Sequence, residues 1–83
     1  MERTQLRARI YEILDDERDY QDKKWVGYND ADWSINDWLL FIERQIAAAK
    51  AITGDNVGMM DFVRKIGGLA VAAMEHNHTE PRG

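Results

Sequence analysis

Glu43, Arg44 and Gln45 stand together inside an otherwise apolar stretch, Ser34 to Ile52. A carboxylate, a guanidinium and an amide in such a setting can hold a cation, neutralise a phosphate or hydrogen-bond a base. Asp61, Arg64 and Lys65 follow on the next apolar stretch. If the two stretches are antiparallel helices, positions near 45 and 64 come to comparable heights. Arg44, Arg64 and Lys65 would then gather cations around a pocket walled by aromatic rings. The plainer reading is salt bridging, of Glu43 with Arg64 or Lys65 and of Asp61 with its neighbours.

A second constellation is Glu17-Arg18-x-x-Gln21-x-x-Lys24-Trp25. Glu17, Gln21 and Lys24 step along one helical face, with Trp25 at its end. Together they could read a base and a phosphate; i,i+4 pairing beside a tryptophan anchor is the simpler reading. Asp15, Asp19 and Asp22 share a face, a pattern that suits a solvated helix surface better than a cation site. His76 and His78 are separated by one residue but lack an evident third ligand, which fits a polar tail. No Gly-rich phosphate loop, Ser/His/Asp set or HExxH is present.

Three helices must position these groups. The first is expected over 4–24, with Thr4 as cap and Leu6, Ile10, Ile13, Leu14 and Tyr20 or Gln21 as its apolar stripe. Residues 26–33, with Gly27, Asn29 and Asp30, read as a connector. Tyr28 and Trp33 are expected to fold back over the bundle. The second helix is expected over 35–52, capped by Ser34 with Asp37 reaching back. Leu39, Ile42, Ile46 and Ala49 form its stripe. Trp38, Leu40 and Phe41 widen that stripe, so this helix is expected to lie between the others. Thr53–Gly54 stops it.

Asp55 or Asn56 caps the third helix, expected over 57–76, with Val57, Met60, Val63 or Arg64, Ile66 or Gly67, Ala70 and Met74 in period. Gly67 and Gly68 each cost about 1 kcal/mol against alanine in a helix interior. Close approach of the alanines at 47, 48, 49 and 51 would offset that. A polar tail, 77–83, follows.

At 83 residues the chain is a single domain. It holds no cysteine, so neither a disulfide nor a thiolate is available. Its formal charge of −4 argues against duplex nucleic acid, whose backbone demands a basic surface. No segment has signal-peptide or transmembrane character, so a soluble, cytoplasmic protein without membrane partners is expected. The fold class is all-α, a three-helix antiparallel hairpin-type bundle. Its apolar faces exceed what three helices can hide, so oligomerisation is expected to complete the core.

The segments ERDYQDKKW, WLLFIERQIAAAKA and VRKIGGLAVAAMEH, in that order, resemble small phage and bacterial members of the MazG-like superfamily of all-α nucleoside triphosphate pyrophosphatases. The resemblance covers roughly residues 10 to 78. It implies an oligomeric helical bundle that uses Mg²⁺ to cleave a nucleotide to monophosphate and pyrophosphate. The family's catalytic pattern is E-E-x-x-E on one helix, then a Glu and an Asp four apart on the next. Here those places hold Arg44, Gln45 and Ala48, then Asp61 and Lys65. A shift of one residue brings in Glu43 alone. The family's WG also reads WVG, lengthening the connector.

The resemblance therefore implies a change of job, in which a pocket shaped for a nucleotide has lost acids and gained cations. The expected function is binding of a small phosphorylated nucleotide without cofactor or turnover, in a protein expected to be phage-encoded. Sequestering a nucleotide second messenger of host antiviral defence is one use. Glu17, Gln21, Lys24, Trp25, Tyr28, Trp38, Arg44, Gln45, Asp61, Arg64 and Lys65 are the candidate ligand-binding residues, and Trp33 is a further stacking candidate. Two alternatives stand beside it. One is an active Mg²⁺-dependent pyrophosphatase using Glu17, Glu43, Asp61 and Glu75. The other is a helical protein–protein interaction module.

Overall fold

The computed structural model describes residues 2–25 and 32–83. Its regular structure is three helices: α1 (Arg3–Lys24), α2 (Ile35–Ala51) and α3 (Asn56–Asn77). The all-α expectation holds, with bounds within one residue of those anticipated. No strand occurs among the described residues, and no helix there is long and apolar enough to cross a membrane.

Local chemistry sets the helix ends. The Ser34 hydroxyl accepts the Asp37 N–H at 3.2 Å, and the Asp37 carboxylate accepts the Ser34 N–H at 2.9 Å. This reciprocal cap satisfies two donors that the helix start would otherwise strand. Asp55 accepts from the Gly58 N–H at 3.0 Å and starts α3. Gly54, at φ 104°, makes the left-handed turn between them. Thr4 does not cap α1; it lies inside the helix. Glu2 holds the cap position, and its N–H donates to the Gln5 side chain at 3.2 Å.

The helix between the others is α3, not α2. α2 and α3 form an antiparallel hairpin. Trp38 at the start of α2 lies against His76 at the end of α3, their ring centroids 5.2 Å apart. Ile52, after α2, lies beside Gly58 near the start of α3. α1 packs on another side of α3, through Leu14, Glu17 and Gln21 against Gly67 and Gly68. α1 and α2 barely touch. The reason is the glycine pair. A Cβ on Gly67 would stand 2.6 Å from Leu14 Cδ2, and one on Gly68 would stand 2.7 Å from Gln21 Nε2. The glycines make room for α1 side chains, not for the alanines of α2.

The apolar core is small: Trp38, Leu69 and Ala72, flanked by Trp25, Trp33, Phe41, Ile42 and Ala73. The anticipated stripes shift accordingly. On α2 the buried face runs through Trp38, Phe41, Ile42 and Ala49, whereas Leu39 and Ile46 are exposed. On α1 every described residue before Ile13 is exposed, Leu6 and Ile10 included. On α3, Val57, Met60, Val63 and Met74 are exposed, and Leu69 and Ala72 take the core.

Candidate functional site

A pocket of about 530 Å³ opens where α2 meets the end of α1. Trp25, Trp33, Trp38, Leu40 and Phe41 wall it, and Asp37 and Arg44 supply its charged groups. Its aromatic wall is braced. Trp25 meets Phe41 edge-on at 5.5 Å between centroids, Trp33 meets Phe41 at 5.7 Å, and Trp33 leans on Trp38 at 4.8 Å. Such edge-to-face contacts fix ring orientation and leave faces for a flat ligand to stack on. Capping of α2 places Asp37 on the pocket's edge with one carboxylate oxygen committed to Ser34. Arg44 is exposed, one turn beyond Leu40, with no ion-pair partner among the described residues. Trp38 is 2% exposed, and its indole N–H has no acceptor among the described residues.

Next to this pocket, sharing Trp25 and Phe41, is a cleft of about 130 Å³. Glu17, Gln21, Lys24, Gln45 and Lys65 line it together with Tyr20 and Leu69. The expected ridge of Glu17, Gln21 and Lys24 ending at Trp25 is therefore present, and Gln45 and Lys65 do stand at one height. Lys65 lies over the Phe62 ring at 5.0 Å, and Lys24 over Tyr20 at 5.8 Å. A third opening, lined by Ile13, Asp16, Glu17, Tyr20, Arg64 and Lys65, continues from it.

Beneath the cleft is a buried polar network. Gln21 donates to Glu17 Oε2 at 3.1 Å and to the Lys65 carbonyl at 3.2 Å, and accepts from Arg18 at 3.1 Å. Arg64 donates to Glu17 Oε1 at 3.0 Å and to Asp61 at 3.0 Å. Arg18 donates to Glu75 at 2.9 Å and to Asp22 at 2.8 Å. Burial works to lower the Arg18 pKa. The hydrogen bond to Glu75 and the charges of Asp22 and Glu75 outweigh that and leave it above its ordinary value. The hydrogen bond to Glu17 raises the Arg64 pKa against the opposing effect of burial, and the hydrogen bond and charge of Asp61 add to the rise. Both arginines stay charged, and the network ties α1 to α3 across the glycine pair.

The structure sorts the candidates into two groups. Trp25, Trp38 and Arg44 belong to the large pocket, whereas Glu17, Gln21, Lys24, Gln45 and Lys65 line the smaller cleft. Arg64 and Asp61 pair with each other below it. Tyr28 lies outside the described residues. The expected ring of three cations does not form, because Glu17 draws Arg64 toward α1, away from Arg44. Glu43 is exposed and does not reach Arg64 or Lys65. Arg18 is a hub that sequence reasoning missed. Its spacing to Gln21 and Asp22 is readable, but its bond to Glu75, fifty-seven positions away, is not. In the sequence, Phe41 and Asp37 read only as packing and cap.

The positions that the resemblance assigns to magnesium do not fit it. Arg44 and Lys65 are cationic, Ala48 has no donor atom, Gln45 is an amide, and Asp61 is paired with Arg64. Of the four acids in the enzymatic alternative, Glu17 and Asp61 hold Arg64 and Glu75 holds Arg18. Among the described residues no three His, Asp or Glu side chains converge. Compared with protein-family models, curated proteins and solved structures, the chain matches none.

Proposed function

We propose that this chain is a self-associating, all-α protein of MazG-like descent that binds a small phosphorylated nucleotide without metal and without turnover. The observation that carries the reading is the large pocket: an aromatic wall of three tryptophans and Phe41, with the Arg44 guanidinium, unpaired among the described residues, at its edge. A base stacks on such a wall, and a phosphate takes the guanidinium in a bidentate contact. Asp37 has one carboxylate oxygen outside the cap, an acceptor suited to an exocyclic amine of the base. The smaller cleft extends the pocket through Trp25 and Phe41 and offers Lys24 and Lys65 to further phosphates.

The biological use we propose is sequestration of a nucleotide second messenger in the host cytoplasm by a phage-encoded protein. A thermal-shift panel of nucleoside mono-, di- and triphosphates and cyclic dinucleotides, each with Mg²⁺ and with EDTA, tests the reading. Binding at a hundredfold excess over Kd raises stability by about 2.7 kcal/mol. Shifts equal in Mg²⁺ and EDTA uphold the proposal. Pyrophosphate release that needs Mg²⁺ overturns it in favour of an active enzyme.

A second reading, a helical interaction module, draws on the exposed apolar side chains of all three helices. A flat panel would favour it.

A further inference from the structure

Asp37, Leu40 and Arg44 stand at i, i+3 and i+7 on α2, so they form one ridge along a side of the large pocket. Seven residues of helix set Asp37 and Arg44 about 10.5 Å apart along the axis. That is close to the reach of a nucleotide from the edge of its base to its first phosphate. The ridge has a polarity, anionic at Asp37 and cationic at Arg44, with Leu40 and the aromatic wall between. A phosphate is repelled at one end and held at the other. A nucleotide stacked on the wall therefore turns its base edge toward Asp37.

The helix cap uses only half of the Asp37 carboxylate. Oδ2 accepts from the Ser34 N–H at 2.9 Å and from the Ser34 hydroxyl at 3.1 Å. Oδ1 has no partner among the described residues. The two bonds to Oδ2 hold the side chain in place, and Oδ1 is left as an oxygen that can accept but not donate. The cap has no need of this second oxygen, since an amide would close it equally well. A base that covers Oδ1 displaces its water and must supply a donor in return, or leave the charge without one.

We infer that Asp37 selects bases that carry an amine on their pairing edge, adenine and cytosine, over the oxo bases hypoxanthine and uracil. The amine points an N–H at Oδ1. The oxo group sets one acceptor against another. A carboxylate can grip guanine through two N–H groups only with both oxygens, and Oδ2 is already taken. This inference deepens the nucleotide reading proposed above and rests on it.

The test is calorimetric titration of ATP, ITP, CTP and UTP into the full chain in EDTA. ATP binds at least about tenfold more tightly than ITP, and CTP than UTP, the scale of one hydrogen bond to a charged group. In Asp37→Asn the amide oxygen must take the Ser34 N–H, so the amide NH₂ replaces Oδ1 and the preference inverts in favour of ITP and UTP. A residue that served the cap alone would leave both ratios at one in either protein. Equal affinities within each pair in the wild type overturn the selectivity and leave the nucleotide reading standing. A wild-type preference that Asp37→Asn does not reverse or abolish overturns the assignment to Asp37. Silence from all four overturns the selectivity together with the nucleotide reading.

Discussion

Replacing Gln21 by leucine tests whether the buried polar network holds α1 on α3. Gln21 is 2% exposed and makes three hydrogen bonds, to Glu17, to Arg18 and to the Lys65 carbonyl. Two of those partners are charged, and each such bond is worth about 1.5–3 kcal/mol; the neutral one is worth about 1 kcal/mol. Leucine fills nearly the same space and recovers roughly 1–2 kcal/mol through apolar burial. Glu17 keeps Arg64, and Arg18 keeps Glu75 and Asp22, which softens the loss. The net expectation is a destabilisation of about 3 kcal/mol. That is a large share of the roughly 4–12 kcal/mol available to a chain of this length. Urea unfolding followed by helical circular dichroism, at one fixed protein concentration, reads it. Asp22→Ala, whose partner role is at the surface, should cost less than about 0.5 kcal/mol in the same assay. A change within about 0.5 kcal/mol for Gln21→Leu would refute the reasoning, since the network would then contribute no more than a greasy side chain does.

The glycine pair separates two kinds of close approach. Gly67→Ala meets only the movable end of Leu14 and gains about 1 kcal/mol of helix propensity, so its midpoint should stay within about 0.5 kcal/mol of wild type. Gly68→Ala presses on the pinned Gln21 amide and Glu17, and should destabilise by about 1–2 kcal/mol in the same unfolding measurement. Ser34→Ala removes the reciprocal cap of α2 and should lower stability by about 1 kcal/mol, with helical signal lost first at that end by hydrogen exchange. Both raised arginine pKa values belong to groups charged in every ordinary buffer. Their stabilising contribution is present below the unfolded value and is lost only as pH rises through the folded one. Unfolding midpoints of wild type and Arg18→Met should therefore differ by the same amount at pH 6 and pH 9.

Three helices, their ends and the Ser34 cap were legible because each rests on neighbours within four positions. The α1 ridge of Glu17, Gln21 and Lys24 was legible for the same reason. Which helix lies in the middle was not. α2 looks more apolar, but apolarity on a short chain marks both the core and a surface awaiting a partner. Leu39 and Ile46 are apolar and yet exposed. Gly67 and Gly68 announce a close approach without saying to what, and side chains of α1 fill the space. Arg64 is readable as a cation, but the pull of Glu17, forty-seven positions away, cannot be read from spacing. The large pocket was not legible, since it is lined by Trp25 at the end of α1, Trp33 just before α2 and Phe41 within α2, which come from separate segments.

Calorimetric titration of phosphorylated nucleotides into the full chain in EDTA, for wild type and Arg44→Glu, tests the central claim most directly. Arg44 is exposed and has no ion pair to lose among the described residues, so the variant should fold as wild type does. Saturable binding by wild type at the same affinity with and without Mg²⁺, and a loss of at least tenfold in Arg44→Glu, is the predicted result. Binding that appears only with Mg²⁺, or that Arg44→Glu leaves intact, would contradict it.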